Sequence, residues 1–537
     1  MSACIVPSTA GTDDSVALPG SPPPSAGDAG PELVETHTSV LVFLGDRVHK
    51  IKKSADLGFL DFRTREARLA ACQAEVALNR RLAPDVYLGV ADVTGPDGQL
   101  CDHMVVMRRL PAARRLSALI AAGADVTGPV RETARLIAAF HARCDTSPEI
   151  TALGGGSALR GLWTEGLAGV EPYAPDPLSP ETVDEIGRLA ERYLEGRGPL
   201  LRERQNANLV RDGHGDLLAD DVFCLDDGPR VLDCLEFDQR LRAGDVLADV
   251  AFLAMDLERL RRPDLADLFM AEYRQFSGES HPRSLEDLYV AYRAFVRCKV
   301  ACIRFGQGDT ESAVRARALA RLALSRLRRG RVRLVLVGGL PASGKSTLAA
   351  GLAAAEGWTV LRSDVVRKEL AGLPATAAAQ AEPDDGIYRP ELTDAVYNEL
   401  IRRAGVALER GESVILDASW SSREHRRRAA RRAADAAADL IELRCAVSPE
   451  IARSRIASRL ATRSHTAGAA GGAGPGTFET SATGESAAVG GDEGVSDATV
   501  TVLATMTQRA DPWPEAATIS TTGPVARTLH DARRTIS

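Results

Sequence analysis

Aromatic residues are scarce in this chain, at 4% of 537 positions, and the signals of several whole classes of protein are missing with them. No run of about 18 apolar residues occurs, so no membrane-spanning helix is expected. The first thirty residues hold no basic segment followed by an apolar stretch. No secretory leader is expected, and the compartment read from the sequence is the cytoplasm. The nine cysteines form no C-x-x-C pair, and Cys298 and Cys302 stand one helical turn apart in an apolar stretch. Isolated buried thiols account for them better than zinc or disulfides. An excess of positive charge is lacking too. A net charge of -7 argues against a protein that coats nucleic acid. The arginine-rich stretches Arg423 to Arg432 and Arg315 to Arg333 carry Ala and Leu at helical spacing, as a solvated helix face does.

What is present divides into blocks, since a chain of this length exceeds one hydrophobic core. Residues 1–30 are rich in Ser, Pro, Gly and Ala and read as a disordered tail. Residues 31–330 form one organised block. It opens with strands at Ser39 to Leu44 and Arg47 to Ile51, a helix at Thr64 to Leu82 and a strand at His103 to Met107. The block then turns mostly helical, apart from two short strands between His214 and Asp238. Residues 331–537 change rhythm. Strands are expected at Leu334 to Val337, Thr359 to Leu361, Ser413 to Leu416, Leu440 to Cys445 and Thr518 to Thr521, with helices between most of them. That alternation predicts a parallel sheet with crossover helices. A Gly, Ala, Ser and Thr segment at 464–494 reads as a flexible insertion in this block.

Gly339-Leu-Pro-Ala-Ser-Gly-Lys-Ser346 fits G-x-x-x-x-G-K-[ST], with an apolar strand before it and an Ala/Leu-rich helix after it. Backbone N–H groups in such a loop turn toward phosphate oxygens, and the helix N-terminus adds a field that favours anions. Candidate nucleotide-binding residues are therefore Gly339, Leu340, Pro341, Ala342, Ser343, Gly344, Lys345, Ser346 and Thr347. Lys345 would reach the β and γ phosphates, and Ser346 would offer its hydroxyl to Mg²⁺. Val414-Ile-Leu-Asp417 has the apolar-run-then-Asp form of a second metal-holding strand, unless Asp417 caps the next helix. Arg362-Ser-Asp364-Val-Val-Arg367 places a carboxylate and an arginine at the mouth of the sheet. Here the chain resembles the P-loop kinases that include polynucleotide 5′-kinases, zeta-toxin-like kinases and gluconate kinases. The resemblance implies that Asp364 is the general base and Arg367 a substrate-binding residue, with helix capping by Asp364 as the alternative. It also implies that Arg455 and Arg459 are lid arginines, against a basic surface face.

In the first block, His214-Gly-Asp216 is followed by Asp221 and by Val231-Leu-Asp233. This resembles the aminoglycoside phosphotransferase group, which shares the protein-kinase-like fold and carries H-G-D-x-x-x-x-N followed by a metal-binding Asp. The resemblance implies Asp216 as the base, with Asp221 and Asp233 holding the metal. Asp221 stands where an Asn is usual. Val48-His-Lys50-Ile-Lys52 resembles the strand bearing the ATP-binding lysine, with Lys50 favoured over Lys52 and Glu75 as its partner. A surface Lys–Glu pair is the alternative. No G-x-G-x-x-G loop occurs, so Glu35 to Ser39 would have to cover the phosphates.

End to end, the chain resembles bacterial proteins in which an aminoglycoside-phosphotransferase-like domain is fused to a P-loop ATPase or kinase domain. The expected fold is α/β and α+β in two domains, with kinase-like lobes at about 31–111 and 112–330 and a P-loop domain at 331–537. The expected cofactors are ATP and Mg²⁺, and the expected partner is a small-molecule phosphate acceptor rather than nucleic acid or a membrane. The expected function is an ATP-dependent phosphotransferase with two nucleotide sites, acting on a small hydroxylated molecule or a nucleotide, and a nucleotide-sensing regulator and a 5′-end-processing kinase are the rival readings.

Overall fold

The computed structural model describes residues 32–36, 38–55, 61–374, 385–458 and 500–536. The expected tail, the 464–494 insertion and Arg459 lie outside the described residues. The chain divides into two compact units. One comprises Met1–Ala190, Leu201–His281 and Leu285–Arg329. The other comprises Glu191–Leu200, Pro282–Ser284 and Gly330–Ser537.

The first unit opens with five strands: β1 (Glu32–Glu35), β2 (Ser39–Leu44), β3 (Arg47–Lys52), β4 (Tyr87–Thr94) and β5 (Leu100–Arg108). They form one antiparallel sheet in the order β1-β2-β3-β5-β4. Side chains alternate across a strand, so β3 turns Val48, Lys50 and Lys52 to one buried face. That face packs with Leu41, Val105 and Met107 against Cys72 and Val76 of the helix Arg65–Asn79. The helix starts where Thr64 Oγ1 accepts from the Ala67 N–H at 3.2 Å. Two small antiparallel pairs follow, β6 (Val210–Asp212) with β9 (Ala243–Asp245) and β7 (Val222–Leu225) with β8 (Gly228–Val231). They are set among helices, of which Val246–Arg259 is buried along nearly its whole length.

The second unit is built on β10 (Arg333–Gly338), β11 (Thr359–Arg362), β12 (Val414–Asp417), β13 (Asp439–Ala446) and β14 (Ala517–Ser520). All five are parallel, in the order β11-β12-β10-β13-β14. Every residue of β10 is buried, as a central strand covered on both faces requires. Val335, Val337, Ile415 and Leu443 pack against Leu348 and Leu352 of the helix Lys345–Glu356. Arg362 and Asp417 pair across β11 and β12, so these two side chains leave the sheet at its carboxyl edge.

Two expectations need correction. The arginine-rich helices are not solvated throughout. Arg423, Arg427 and Arg431 are exposed, but Arg426 is buried and donates to the Trp420 carbonyl at 2.6 Å. Arg326 is buried as well, paired with Glu258 and with Asp287 at 2.7 Å. Helical spacing distinguishes a polar residue from an apolar one but not a solvated cation from a paired one. Among the described cysteines all are free and buried except Cys101, which is exposed. No helix among the described residues is long and apolar enough to cross a membrane.

Candidate functional site

In the second unit, β10 ends at Gly338 and the chain turns into the helix Lys345–Glu356. The turn needs left-handed backbone at Gly339 (φ +138°), Ala342 (φ +59°) and Gly344 (φ +87°). A Cβ on Gly339 would stand 2.7 Å from the Cys445 carbonyl oxygen, so only glycine fits there. Lys345 Nζ donates to the Leu340 carbonyl at 3.1 Å, folded back onto the loop. The loop is braced from outside. Thr521 Oγ1 donates to the Ser343 carbonyl at 2.6 Å, and Arg455 donates to the carbonyls of Ala342 (3.2 Å) and Thr521 (2.7 Å).

Beyond the loop opens a cavity of about 730 Å³ lined by Lys345, Ser346, Asp364, Arg367 and Asp417. Asp417, the last residue of β12, is 4% exposed, and Arg362 Nε lies 3.5 Å from its Oδ2. Asp364 sits in the first turn of the helix Ser363–Leu370. Burial pushes its carboxyl above the ordinary carboxylate range; Lys345 opposes this and the charge of Asp417 adds to it. Arg367 is buried and donates to the Ile387 carbonyl (2.9 Å) and to Thr393 Oγ1 (3.0 Å), with its guanidinium 4.9 Å from the Tyr388 ring centre.

Of the residues singled out in the second half, Lys345, Ser346, Asp364, Arg367 and Asp417 come together. Arg455 does not join them. It lines a separate cavity of about 240 Å³ on another flank of the loop, with Gly344, Thr521 and Gly523. Sequence reasoning missed the opposite wall of the larger cavity, which includes Asp394, Tyr397, Ser419 and His425. His425 Nε2 lies 2.7 Å from Asp394 Oδ1, and its ring stacks on Tyr397 with centroids 4.0 Å apart and 14° between planes. The hydroxyl of Tyr397 pairs with Ser419 Oγ (2.9 Å) and accepts from the Trp420 N–H (3.2 Å). The His425 hydrogen bond holds Asp394 below the ordinary carboxylate range. These residues come from two helices and a loop, so no local motif announces them. The Ser-rich turn after Asp417 was the one available signal.

In the first unit, both lysines of β3 reach the same carboxylate. Lys50 Nζ lies 2.8 Å from Glu75 Oε1 and 3.0 Å from Asp233 Oδ1. Lys52 Nζ lies 2.6 Å from Glu75 Oε2 and 2.6 Å from Glu236 Oε1. Glu75 is 0% exposed, so this is no surface pair. Burial alone would lower the pKa of Lys50; Asp233, Glu75 and Glu236 outweigh it and hold the ammonium well above its usual value. Asp233 takes a left-handed backbone (φ +63°), and its N–H donates to the Tyr87 hydroxyl at 3.3 Å. Lys50, Asp221 and Asp233 line one cleft of about 110 Å³, with Thr36 from the β1–β2 turn at its edge.

Asp216 is not among the residues lining that cleft. It is 3% exposed, and its Oδ2 makes no hydrogen bond among the described residues; Arg297 Nη1 is 3.8 Å away. Burial raises its pKa, and Arg297 opposes the shift. The loop that carries Asp216 hangs on a residue the sequence reading did not find. Asp249, on the buried helix, accepts from the N–H groups of His214 (2.7 Å) and Gly215 (2.8 Å) and pairs with His141 Nε2 at 3.0 Å. An acidic residue amid the apolar run Val246 to Leu257 was its only trace.

A family described as an AAA domain matches residues 334–471. The uncharacterized protein Rv2004c of Mycobacterium tuberculosis (strain ATCC 25618 / H37Rv) is 39% identical over 501 residues, covering 93% of this chain and 94% of its own length. Among solved structures, a GDP complex of wild-type aminoglycoside 2′-phosphotransferase-IIIa aligns with 55% of this chain and 93% of its own, at 16% identity and a TM-score of 0.35. A gluconokinase from Sinorhizobium meliloti 1021 aligns with 39% of this chain and 96% of its own, at 17% identity and a TM-score of 0.24.

Proposed function

The chain belongs to the family of the mycobacterial protein Rv2004c, and we propose that it is an ATP-dependent phosphotransferase acting on a small hydroxylated molecule. One observation carries this reading: a single cavity at the carboxyl edge of a parallel sheet gathers Lys345, Ser346, Asp364 and Asp417, the place where open α/β sheets bind ligands. The loop N–H groups and Lys345 would grip the β and γ phosphates. Asp364 would take the proton of the acceptor hydroxyl at a carboxylate oxygen, and its raised pKa suits that task. Arg367, fixed by Ile387 and Thr393, would hold an anionic group beside it. The smaller cavity would take the base. Among the described residues its polar side chains are Thr347, Arg455, Thr521 and Thr528.

The donors in the larger cavity suit Mg²⁺. Ser346 and Asp417 offer hard oxygen ligands, and the mutual repulsion of Asp364 and Asp417 is what a nearby dication relieves. Among the described residues no cluster of three or more His, Cys, Asp or Glu side chains could hold a metal alone. When bound, the ion would neutralise charge on the phosphoryl group in transfer.

The test is calorimetric titration of the full chain with ATP and magnesium, paired with a metabolite extract and γ-labelled ATP. Expected are binding and a labelled product, both abolished by Lys345→Ala, with Asp364→Asn losing product but keeping binding. No binding by the intact protein would end the proposal.

A second reading concerns the first unit, as a nucleotide-sensing module with weak chemistry. The ion pair between Lys50 and Asp233 engages the very groups that would meet phosphate and metal, in a cleft of about 110 Å³ that also receives the anionic Asp221. Asp216→Asn separates the two. Unchanged product formation favours sensing, and a lost second product favours two active sites. The end-processing reading draws on Asp364 and Arg367 and on the arginine-rich helices, of which Arg326 and Arg426 are buried and structural while Arg423, Arg427 and Arg431 are exposed. A 5′-hydroxyl oligonucleotide is expected to go unphosphorylated.

A further inference from the structure

The wall of the larger cavity that faces neither loop nor sheet is built, not incidental. It rests on the helix Pro390–Glu409, the turn after β12 and the helix Arg423–Asp435, and apart from Thr393, which holds Arg367, nothing in the nucleotide chemistry above uses it. At its centre His425 is clamped from two sides, by Asp394 at 2.7 Å and by the Tyr397 ring at 4.0 Å. A carboxylate on Nε2 fixes the proton there and leaves Nδ1 as an acceptor. Among the described residues Nδ1 makes no hydrogen bond.

The same stack settles what the wall is not. His425 covers one face of Tyr397, and Trp420 meets the ring edgewise at 5.1 Å. Tyr397 is 3% exposed, and the cavity's other tyrosine, Tyr388, already carries the Arg367 guanidinium 4.9 Å from its ring centre. A stacking platform for a base needs an open ring face. Around His425 the cavity instead presents hydroxyls, from Thr393, Ser419, Ser421 and Ser422. Short hydroxyl side chains both donate and accept, which suits a ligand that does the same.

We propose that His425 is the residue by which this cavity recognises its acceptor, taking a hydroxyl hydrogen bond at Nδ1, and that the acceptor is a small polyhydroxylated molecule rather than a nucleoside. One hydroxyl faces Asp364 and is phosphorylated; another is read by His425. Asp394 and Tyr397 act as positioning residues that hold the imidazole. The inference rests on the phosphotransferase reading and adds its substrate class.

The test uses the full chain with γ-labelled ATP and four probes: glycerol, D-ribose, D-gluconate and a 5′-hydroxyl dinucleotide. At least one of the first three is expected to be labelled, and the dinucleotide is not. His425→Phe keeps a ring on Tyr397 and deletes Nδ1. It is expected to raise the KM of the accepted polyol about ten- to hundredfold, as loss of a buried hydrogen bond does, with MgATP affinity unchanged. Asp394→Asn, whose amide oxygen still accepts from Nε2, should fall between. If His425→Phe fails to fold, Asp394→Asn against Asp394→Ala carries the same comparison. Labelling of the dinucleotide alone, labelling of none by a protein that binds MgATP, or an unmoved polyol KM overturns the inference and leaves the phosphotransferase reading standing. A protein that does not bind MgATP overturns that reading instead.

Discussion

Replacing Asp249 by alanine should loosen the whole His214-Gly215-Asp216 loop without altering any of its residues. Asp249 is 4% exposed and receives three contacts, from two backbone N–H groups at 2.7 and 2.8 Å and from His141 at 3.0 Å. A hydrogen bond to a charged group is worth about 1.5–3 kcal/mol. The three share one acceptor and do not add, and removing one partner of a buried charged pair costs about 3–5 kcal/mol. That range is the predicted loss for Asp249→Ala. Hydrogen exchange of the full-length protein reads it locally. The amides of 210–220 should exchange about a hundredfold faster or more, while those of β10 stay as they were. The pH dependence has a fixed sign. Burial opposes the charge of Asp249, but His141, His214 and the loop N–H groups hold its pKa far below the ordinary value. Its stabilisation is therefore complete above the unfolded value of about 4 and fades as pH falls through the folded one. A loss under about 1 kcal/mol would refute the anchoring role.

Gly339→Ala should lower the melting temperature and weaken MgATP binding. A Cβ would meet the Cys445 carbonyl at 2.7 Å at a φ of +138°, a strain of about 1–3 kcal/mol. Arg455→Met should weaken nucleotide binding at Lys345 about tenfold by freeing the carbonyls of Ala342 and Thr521; an unaltered binding isotherm would show that the loop needs no brace. His281 lies between Glu279 (2.7 Å) and Glu286 (3.4 Å). Burial would lower its pKa, but the two carboxylates raise it, so its stabilisation is whole below about 6.5 and lost as pH climbs through the folded value. Urea midpoints measured from pH 6 upward should decline in the wild type, and His281→Gln should remove that part of the slope.

Strands and helices whose pattern is local were legible in the sequence. Arg47 to Ile51 becomes β3, Leu334 to Val337 becomes β10, and the five strands of the second unit all form where alternation placed them. Four strands escaped: β6 and β9, three residues each and too short to show a period, and two longer ones. β1 is a short edge strand with three of four residues exposed, and β4 is interrupted by Gly89 and Asp92, so neither shows a clean period. The same division holds for the sites. Lys345 and Ser346 belong to a loop whose chemistry is contiguous, and could be read directly. Asp249, Asp394 and His425 act through partners 30 or more positions away, a relation that periodicity does not carry. Lys50 and Lys52 show the intermediate case. Alternation put both on one face, but only the packed helix shows that both meet Glu75.

That doubled attachment makes the first unit tolerant in an unusual way. A buried carboxylate with one lysine partner is left uncompensated whenever that lysine is lost. Here Glu75 would keep Lys52 as its counter-charge, so the protein can surrender the ammonium in its cleft and stay folded. The charge that Lys50 presents to the cleft and the folding of the unit are uncoupled at this position. A lineage could remove that charge by one substitution while preserving the first unit as a scaffold.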